Sequence, residues 1–579
     1  MIILYFVENY KKFRLFIVFT FFSWNYFLFG KTLNDAQLLK SDNWIYKALA
    51  TLSLETKESI FLDTKPISVG EIKFYLSQID FENLSESGKI LYQKVDEYLF
   101  STYHLGKKTV FNLFPKNSAT KIWFGTKLNP ELYLKSNKNI PSTTNYFYHD
   151  NPLTIPIMMG FSQNIALELD IFWGKDLESS LDRNSFTNIP LNDSQREYEY
   201  PKYAYGNIAK NFKNWGISAT IGKEGFSIGE TKLGSVIYNS TFETDCYSVL
   251  SAYSSNLKYN LIFSQVDSSK FLFLHNFNLK ILPNLKIGFT EGGLKHGAVE
   301  LRFLNPTMIL HSFYSASDYS RFDNNQYNLG NHYCSYMGIT VDFYPIKNLR
   351  LYALWAQTEL QIGGELESVY GQLLPNGYGL QVGVDYSIPA NKKEFINLNI
   401  EGLYTTPYLY VKQSPDWSMV KTEQKQGQSI DAASWLGSPF GPDTFALTCS
   451  FEYENPQKWS FGFENLFLMK GEIDINTILK TKTIQDENGT NSYPSYYPSC
   501  AYYLGVLSEE DAIYKARKKG LSGIIQYRND ISLLGEYHFF PNFKVSANGT
   551  YTLIFNKNHK KGDFQQGFEL KLACTFNIF

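Results

Sequence analysis

From about residue 108 to the end of the chain, apolar and polar residues alternate with period two, the spacing of strands with one apolar and one polar face. Phe445, Leu447, Cys449, Phe451 and Tyr453 fall on one face, and Ala446, Thr448, Ser450, Glu452 and Glu454 on the other, before a turn at Asn455-Pro456. The return segment sets Trp459, Phe461, Phe463 and Phe467 against Lys458, Ser460, Gly462 and Glu464. A second hairpin places Tyr378, Leu380, Val382, Val384, Tyr386 and Ile388 opposite Gln381, Gly383, Asp385 and Ser387. It returns through Pro389-Ala390-Asn391 into Ile396, Leu398 and Ile400 against Asn397, Asn399 and Glu401. Near the end, Val545, Ala547, Tyr551, Leu553 and Phe555 alternate with Lys544, Ser546, Asn548, Thr550 and Thr552.

One type of turn recurs, at Leu282-Pro283-Asn284-Leu285, Phe540-Pro541-Asn542-Phe543 and, in a longer form, Tyr344-Pro345-Ile346-Lys347-Asn348-Leu349. Proline fixes φ and lacks a donor while asparagine tolerates a left-handed conformation, so these read as tight hairpin connections. Between them lie long polar, aromatic or charged segments near 178–213, 312–332, 406–440 and 479–527. Short turns alternating with long loops, and aromatics beside the turns, predict an outer-membrane β-barrel. A soluble β-sandwich also alternates, but it would not pair short-turn hairpins with aromatic ends this consistently. Roughly 470 residues at about 20–30 per strand and its loop give 16–20 strands, and an even count near 18 is expected.

The pattern before the barrel is helical. In Ser68-Val69-Gly70-Glu71, the serine hydroxyl can accept from the Glu71 N–H while the Glu71 carboxylate reaches back to the Ser68 N–H, a capping box. Ile72, Leu76 and Ile79 then share one face. Leu91, Val95 and Tyr98/Leu99, and Trp44, Ala48 and Leu52, repeat that spacing, so residues from about 35 to 102 should hold two to four short amphipathic helices. About 70 residues make a small free-standing core, so the helices are expected to dock against or inside the barrel, an independent periplasmic domain being the alternative. The first 30 residues read as a secretory signal, with Lys11, Lys12 and Arg14, an apolar run from Leu15 to Phe29, and Gly30. The chain thus divides into an export signal (1–30), a periplasmic helical bundle and possible plug (31–107) and a barrel (108–579).

Composition supports that reading. A chain of 579 residues would ordinarily suggest several soluble domains, yet 17% are aromatic, with 46 Phe and 42 Tyr. The mean hydropathy of −0.26, and the lack of an uncharged apolar run of ~18 residues beyond the N-terminus, argue against membrane-spanning helices. A transmembrane barrel reconciles these facts, because only alternate strand residues meet lipid. With 54 Lys+Arg against 56 Asp+Glu there is no basic footprint for nucleic acid. The five cysteines are widely spaced without a CxxC pair, so neither a metal cluster nor a dense disulfide framework is expected.

No catalytic motif survives inspection: H-E-x-x-H and G-x-S-x-G are both missing, and Gly30-Lys31-Thr32 has Asn25 where a phosphate-binding loop needs glycine. Asp323-Asn324-Asn325 and Asp486-Glu487-Asn488 carry oxygen ligands of the kind calcium takes, but read as solvated loop tips. No enzyme activity, cofactor or metal is expected. The long loops hold Trp417 and Trp435, and then Tyr493, Tyr496, Tyr497, Tyr502 and Tyr503 among Ser and Pro. Aromatic faces suit sugar rings, so Trp417, Trp435, Tyr496, Tyr497, Tyr502 and Tyr503 are the candidate polysaccharide contacts, unless they pack the loops together or form a girdle. Ser508-Glu509-Glu510-Asp511 opens a helix running to Lys518 and stopped by Gly520.

The order of parts resembles the Wzi-type capsule-assembly outer-membrane proteins. Lys65-Pro66-Ile67-Ser68-Val69-Gly70-Glu71-Ile72 is similar to that family's proline-containing lead into a helix. Ile221-Gly222-Lys223, Gly229 and Gly234-Ser235-Val236-Ile237-Tyr238-Asn239-Ser240 resemble its strand and Gly-rich stretch. His275-Asn276-Phe277, Thr290-Glu291 and Arg302-Phe303-Leu304-Asn305-Pro306 follow in the expected order, whereas the family's Trp-Gly pair is replaced by Phe226 and Gly229. The resemblance implies a barrel of about 18 strands, a helical bundle that helps close the lumen, and a non-enzymatic role in holding capsular or surface polysaccharide. It carries over no binding residues. The expected partners are outer-membrane lipid, surface polysaccharide and the outer-membrane insertion machinery, whose recognition signal the alternating last segment Gln566–Phe579 resembles, although Phe579 is out of phase. The rival reading is a diffusion porin, with Asp385, Asn397, Asn399, Glu401 and Lys544 lining water.

Overall fold

The alternating segments pair in sequence order and close into a ring. The computed structural model describes residues 34–100, 120–141, 150–176, 179, 184–198, 201–239, 246–297, 299, 301–309, 333–413, 415–424, 430–479, 484–485, 491–492, 496–503 and 505–578. The expected export signal, the 323–325 and 486–488 clusters, Tyr493 and Phe579 lie outside the described residues.

The strands are β1 (Lys121–Phe124, Thr126–Leu128 and Glu131–Lys135), β2 (Leu153–Ser162), β3 (Ile165–Trp173), β4 (Ala204–Asn211), β5 (Trp215–Lys223) and β6 (Cys246–Ser254). Next come β7 (Leu257–Asp267), β8 (Lys270–Leu282), β9 (Leu285–His296), β10 (Tyr333–Phe343), β11 (Leu349–Glu359) and β12 (Gly377–Asn391). The ring ends with β13 (Glu394–Thr405), β14 (Thr444–Asn455), β15 (Trp459–Lys470), β16 (Gln526–Phe540), β17 (Phe543–Phe555) and β18 (Phe564–Ile578). Twenty hydrogen-bonded segments make eighteen antiparallel strands among the described residues, because three are consecutive pieces of β1. Pro130 in the second break has no N–H for a ladder, and its carbonyl instead accepts from the Cys574 N–H at 3.2 Å.

One rim carries the short turns, among them 163–164, 283–284, 392–393, 456–458 and 541–542; in outer-membrane barrels that rim faces the periplasm. The other rim carries the long connections, including 174–203, 224–245, 406–443 and 471–525, and one connection of two residues, 268–269. Two expected boundaries move. The loop expected at 178–213 ends at 203, because Ala204–Asn211 is β4, and the β12–β13 turn lies after Asn391 because Pro389 stays in register opposite Phe395.

The two strand faces are inverted relative to a soluble barrel. Leu380, Val382, Val384, Leu447, Phe461 and Phe463 point outward and are exposed, while Gln381, Glu401 and Thr448 point inward and are buried. An apolar outer band with polar inward positions is what lipid on one side and a filled lumen on the other select. Aromatics crowd both rims: Phe212 and Trp215 stack at 4.3 Å beside a short turn, Trp355 and Tyr378 at 4.9 Å at the long-loop rim.

The N-terminal helices are α1 (Trp44–Thr56), α2 (Val69–Leu76) and α3 (Glu86–Phe100). Ile72, Leu76 and Ile79, and Leu91, Val95 and Leu99, are buried in one core as their spacing predicts. This unit docks into the short-turn rim: the Ser59 N–H donates to Pro283 O (2.8 Å), the Asn348 N–H to Leu54 O (2.7 Å) and Lys94 Nζ to Pro456 O (2.8 Å). The capping box forms only by half. Ser68 Oγ accepts from the Glu71 N–H at 3.2 Å, but the Glu71 carboxylate turns instead to Lys258 of β7 at 2.6 Å.

At the long-loop rim sit α4 (Val369–Leu373), α5 (Ile475–Leu479), α6 (Pro498–Tyr503) and α7 (Glu509–Arg517). Ser508 caps α7 by accepting from the Asp511 N–H, and Arg517 in its last turn donates to the Gln372 and Leu374 carbonyls of the α4 region.

Candidate functional site

The first part of the Gly-rich connection after β5, residues 224–239, folds into the lumen beneath the cap. Ser227–Ile228 and Tyr238–Asn239 pair with each other, and Ser227–Ile228 also pairs with Thr64–Lys65. The result is a three-stranded sheet inside the barrel, built from the N-terminal segment and the inward loop. Glycine is required at two of its corners. Gly229 (φ 109°) would place a Cβ 2.7 Å from Leu354 Cδ2, and Gly234 (φ 84°) would place one 2.8 Å from Pro439 Cδ.

Wall side chains hold the inward loop by its backbone. The Glu401 carboxylate accepts from the Lys232 N–H (2.7 Å), the Leu233 N–H (3.0 Å), Gln381 Nε2 (2.6 Å) and the Tyr352 hydroxyl. Gln381 in turn accepts from the Val236 N–H at 2.9 Å and donates to Gly234 O at 3.0 Å. Arg350 reaches Glu230 O (3.1 Å), Asp385 (2.7 Å) and Asp342. From the other side Lys286 binds Asp63 of the N-terminal segment (2.8 Å) and Asp342 (3.2 Å). Buried charges that keep several partners are satisfied without water, so these groups fasten the plug. Asp385, Asn397, Asn399 and Glu401, expected to line water, do point inward; Asn399 donates to Asp385 (2.7 Å) and Asn397 to Glu454 (2.6 Å).

Above the inward loop, an apolar core closes the mouth. Val236 and Ile237 pack with Leu354, Tyr410, Val411, Met419, Trp435 and Leu436, and the 471–525 connection adds Ile473, Tyr496, Tyr497 and Cys500. The hydroxyls of Tyr336 and Tyr410 donate to carbonyls of Val236 and Ile237, and Tyr496 donates to Lys412 O at 3.1 Å. Burial pushes the Tyr410 and Tyr496 hydroxyls up, so they remain neutral donors. Asp443 joins the two loops, accepting from the Ile473 N–H (3.0 Å) and the Ser522 N–H (2.9 Å).

The six aromatics singled out from the sequence therefore separate. Trp435, Tyr496 and Tyr497 are buried because each completes this core. Trp417 lies in a single turn at 415–417. Tyr502 and Tyr503, edge to face at 5.2 Å, lie at the end of α6, with Tyr503 exposed. Helices α4, α6 and α7 pack on one another, and they bring exposed Tyr370 and Tyr514 to the same part of the cap. Neither tyrosine was marked by any sequence pattern, since each sits singly in a short helix.

The stretches that carried the family resemblance also separate. Gly234–Asn239 forms part of the plug, and Asn276 points inward, where it accepts from the Thr64 hydroxyl of the N-terminal segment at 3.3 Å. His275 and Glu291 pair at 3.2 Å on the outer wall, where Phe303 stacks on Phe273 at 4.7 Å and Pro306 O accepts from the Tyr259 hydroxyl at 2.9 Å. The 301–309 segment thus covers a polar pair that would otherwise face lipid.

No family model matches the chain, and no curated protein matches it in sequence. Among solved structures it is similar to Wzi of Escherichia coli, an outer-membrane protein involved in group 1 capsule assembly and described as a carbohydrate-binding β-barrel. The identity is 13% over 93% of this chain and 99% of that one, with a TM-score of 0.53. It is more loosely similar to OprD of Pseudomonas aeruginosa (9% identity, 79% of this chain and 96% of that one, TM-score 0.36) and to OprB of Pseudomonas putida (8%, 79% and 94%, TM-score 0.33). The chain has the fold of an eighteen-stranded outer-membrane β-barrel, and it shares that fold with Wzi over nearly its whole length.

Proposed function

We propose that this protein holds surface or capsular polysaccharide at the outer face of the outer membrane, without catalysing a reaction. The observation that carries the reading is the exposed tyrosine surface of the cap: Tyr370, Tyr503 and Tyr514 are 43%, 41% and 68% exposed on three helices that pack together. Sugar C–H faces pack on such rings while flanking hydroxyls and carboxylates take the sugar hydroxyls. The plug supports the same reading, because a lumen fastened by Glu401, Gln381 and Lys286 leaves the loop face as the exposed working surface. The similarity to Wzi, described as carbohydrate-binding, points the same way. Tyr502, edge to face with Tyr503, belongs to this surface. Export by the 1–30 signal and recognition of β18 by the insertion machinery complete the proposal.

The test replaces Tyr370, Tyr503 and Tyr514 together by Ala and measures polysaccharide retained on cells and bound by the refolded protein. Three rings at about 0.5–1.5 kcal/mol each predict at least a tenfold loss. Unchanged retention by a correctly assembled variant would sink the reading.

A further inference from the structure

The plug does not fill the ring evenly. Along β14 to β18 the wall faces a cavity of about 540 Å³, and below it a second of about 200 Å³ lies under α1. The two share Glu452, Ser460 and Glu536 in their walls, so they form one chamber. Its mouth is at the periplasmic rim, bounded by the Pro456–Lys458 turn and by Trp44, Lys47 and Thr51 of α1. Its far side is Lys232 of the inward loop, whose side chain is 42% exposed although it stands inside the barrel.

The lining is polar and its charges are matched. Lys232 pairs with Glu464 (3.0 Å), Lys544 with Glu536 (2.8 Å), and Lys571 with Glu131 (3.0 Å). At the mouth, Lys47 bridges Glu452 (2.7 Å) and Glu454 (2.8 Å) and Lys458 adds a second cation, while Asp530 of the wall pairs with Arg528 (2.9 Å). Between these pairs stand the hydroxyls of Ser450, Ser460 and Ser546 and the amide of Asn548. Leu534 is 36% exposed in the chamber opposite Gly462, whose missing side chain opens the space in front of it, and Leu466 on the same face of β15 also lines the wall.

We propose that this chamber is a second, periplasm-facing binding site, for a short uncharged oligosaccharide. Its size falls in the range of small-molecule sites. Matched ion pairs give no net field to select an ion, yet each paired carboxylate keeps lone pairs for sugar hydroxyls, and each serine and amide can donate or accept. Leu534 supplies the apolar patch that the C–H face of a sugar ring covers. The site lies at the opposite end of the barrel from the cap tyrosines and does not depend on them.

The test titrates the full-length refolded protein in detergent with maltotriose, cellotriose and tri-N-acetylchitotriose, using trigalacturonic acid as the charged control. A Cβ at Gly462 would meet Leu534 Cδ1 at 3.5 Å and Phe451 O at 3.6 Å, ordinary contacts, so Gly462→Phe can fold while filling the chamber. The expected result is binding of at least one uncharged trisaccharide, weakened tenfold or more by Gly462→Phe and unchanged by the triple cap-tyrosine variant. If Gly462→Phe does not assemble, Leu534→Ala and Glu464→Gln must each weaken binding severalfold. Absence of binding by all three uncharged sugars, preference for the charged control, or binding untouched by the chamber variants overturns the proposal. Loss of binding in the cap-tyrosine variant alone would assign the sugar to the cap and reject the chamber, so the two proposals fail separately.

Discussion

Lys258 on β7 and Glu71 on α2 form an ion pair of 2.6 Å with side chains only 2% and 3% exposed, and the Tyr75 hydroxyl donates to the same carboxylate at 2.8 Å. The barrel wall thereby holds the helical segment through a charge that cannot reach water. Removing one partner strands the other, which costs about 3–5 kcal/mol, whereas replacing both with apolar groups is often nearly neutral. Lys258→Met should therefore expose residues 34–100 to limited proteolysis, and Lys258→Met with Glu71→Met should restore most of the resistance.

Deleting residues 31–107 removes Asp63, Glu71 and the Thr64–Lys65 strand, and with them every hydrogen bond that this segment gives the inward loop. Planar-bilayer recordings should show no steady current for the full chain and a steady current for the truncated one. Equal currents would place the helices outside the conduction path and favour a porin.

Glu401 accepts four hydrogen bonds, two of them from the backbone of the inward loop. Bonds to a charged acceptor are worth about 1.5–3 kcal/mol each, so Glu401→Ala should loosen that loop by roughly 3 kcal/mol or more. Amide hydrogen exchange at 232–237 should accelerate about a hundredfold, while exchange in the β16–β17 ladder stays slow.

Burial pushes the Cys500 thiol up to about 12. Alkylation needs the thiolate, so at pH 8 about one thiol in ten thousand is ready to react, and the folded cap should resist iodoacetamide. Raising the pH towards 12 should speed the reaction. So should Asp443→Ala at constant pH, because Asp443 ties the 406–443 and 471–525 loops together. Cys449 and Cys574 are exposed on the outward, lipid-facing positions of β14 and β18. A nitroxide on either, in vesicles, should be relaxed by oxygen and shielded from a water-soluble chelate.

The barrel was legible because its signal is local. Leu380, Val382 and Val384 alternate with Gln381 and Gly383 whatever the partner strand is, and the Pro-Asn pairs at 283–284 and 541–542 mark turns unaided. The helices were legible for the same reason, from Leu91, Val95 and Leu99. The plug was not. Gly234-Ser235-Val236-Ile237 reads as one more strand and turn, and partners far away in sequence, Glu401, Gln381, Tyr336 and Tyr410 among them, hold it inward. Glu401 itself alternates like any lumen-facing residue. Aromatic loops are equally silent: Tyr496 and Tyr503 lie seven positions apart in similar company, yet one completes a core and the other faces solvent. The half-formed capping box has the same cause, since Lys258 outcompetes a local backbone N–H for Glu71.

The three-stranded sheet inside the ring also gives the molecule a line of mechanical continuity. Leu436 O of the cap accepts from the Asn239 N–H at 2.7 Å, Tyr238–Asn239 pairs with Ser227–Ile228, and that strand pairs with Thr64–Lys65, next to Asp63 and its Lys286 anchor. A pull on the outer loops is therefore carried through the centre of the barrel to the opposite rim and shared with the wall on the way. The plug acts as a rivet, and the weight of anything tethered outside is borne by the whole thickness of the membrane-embedded body, not by the loops alone.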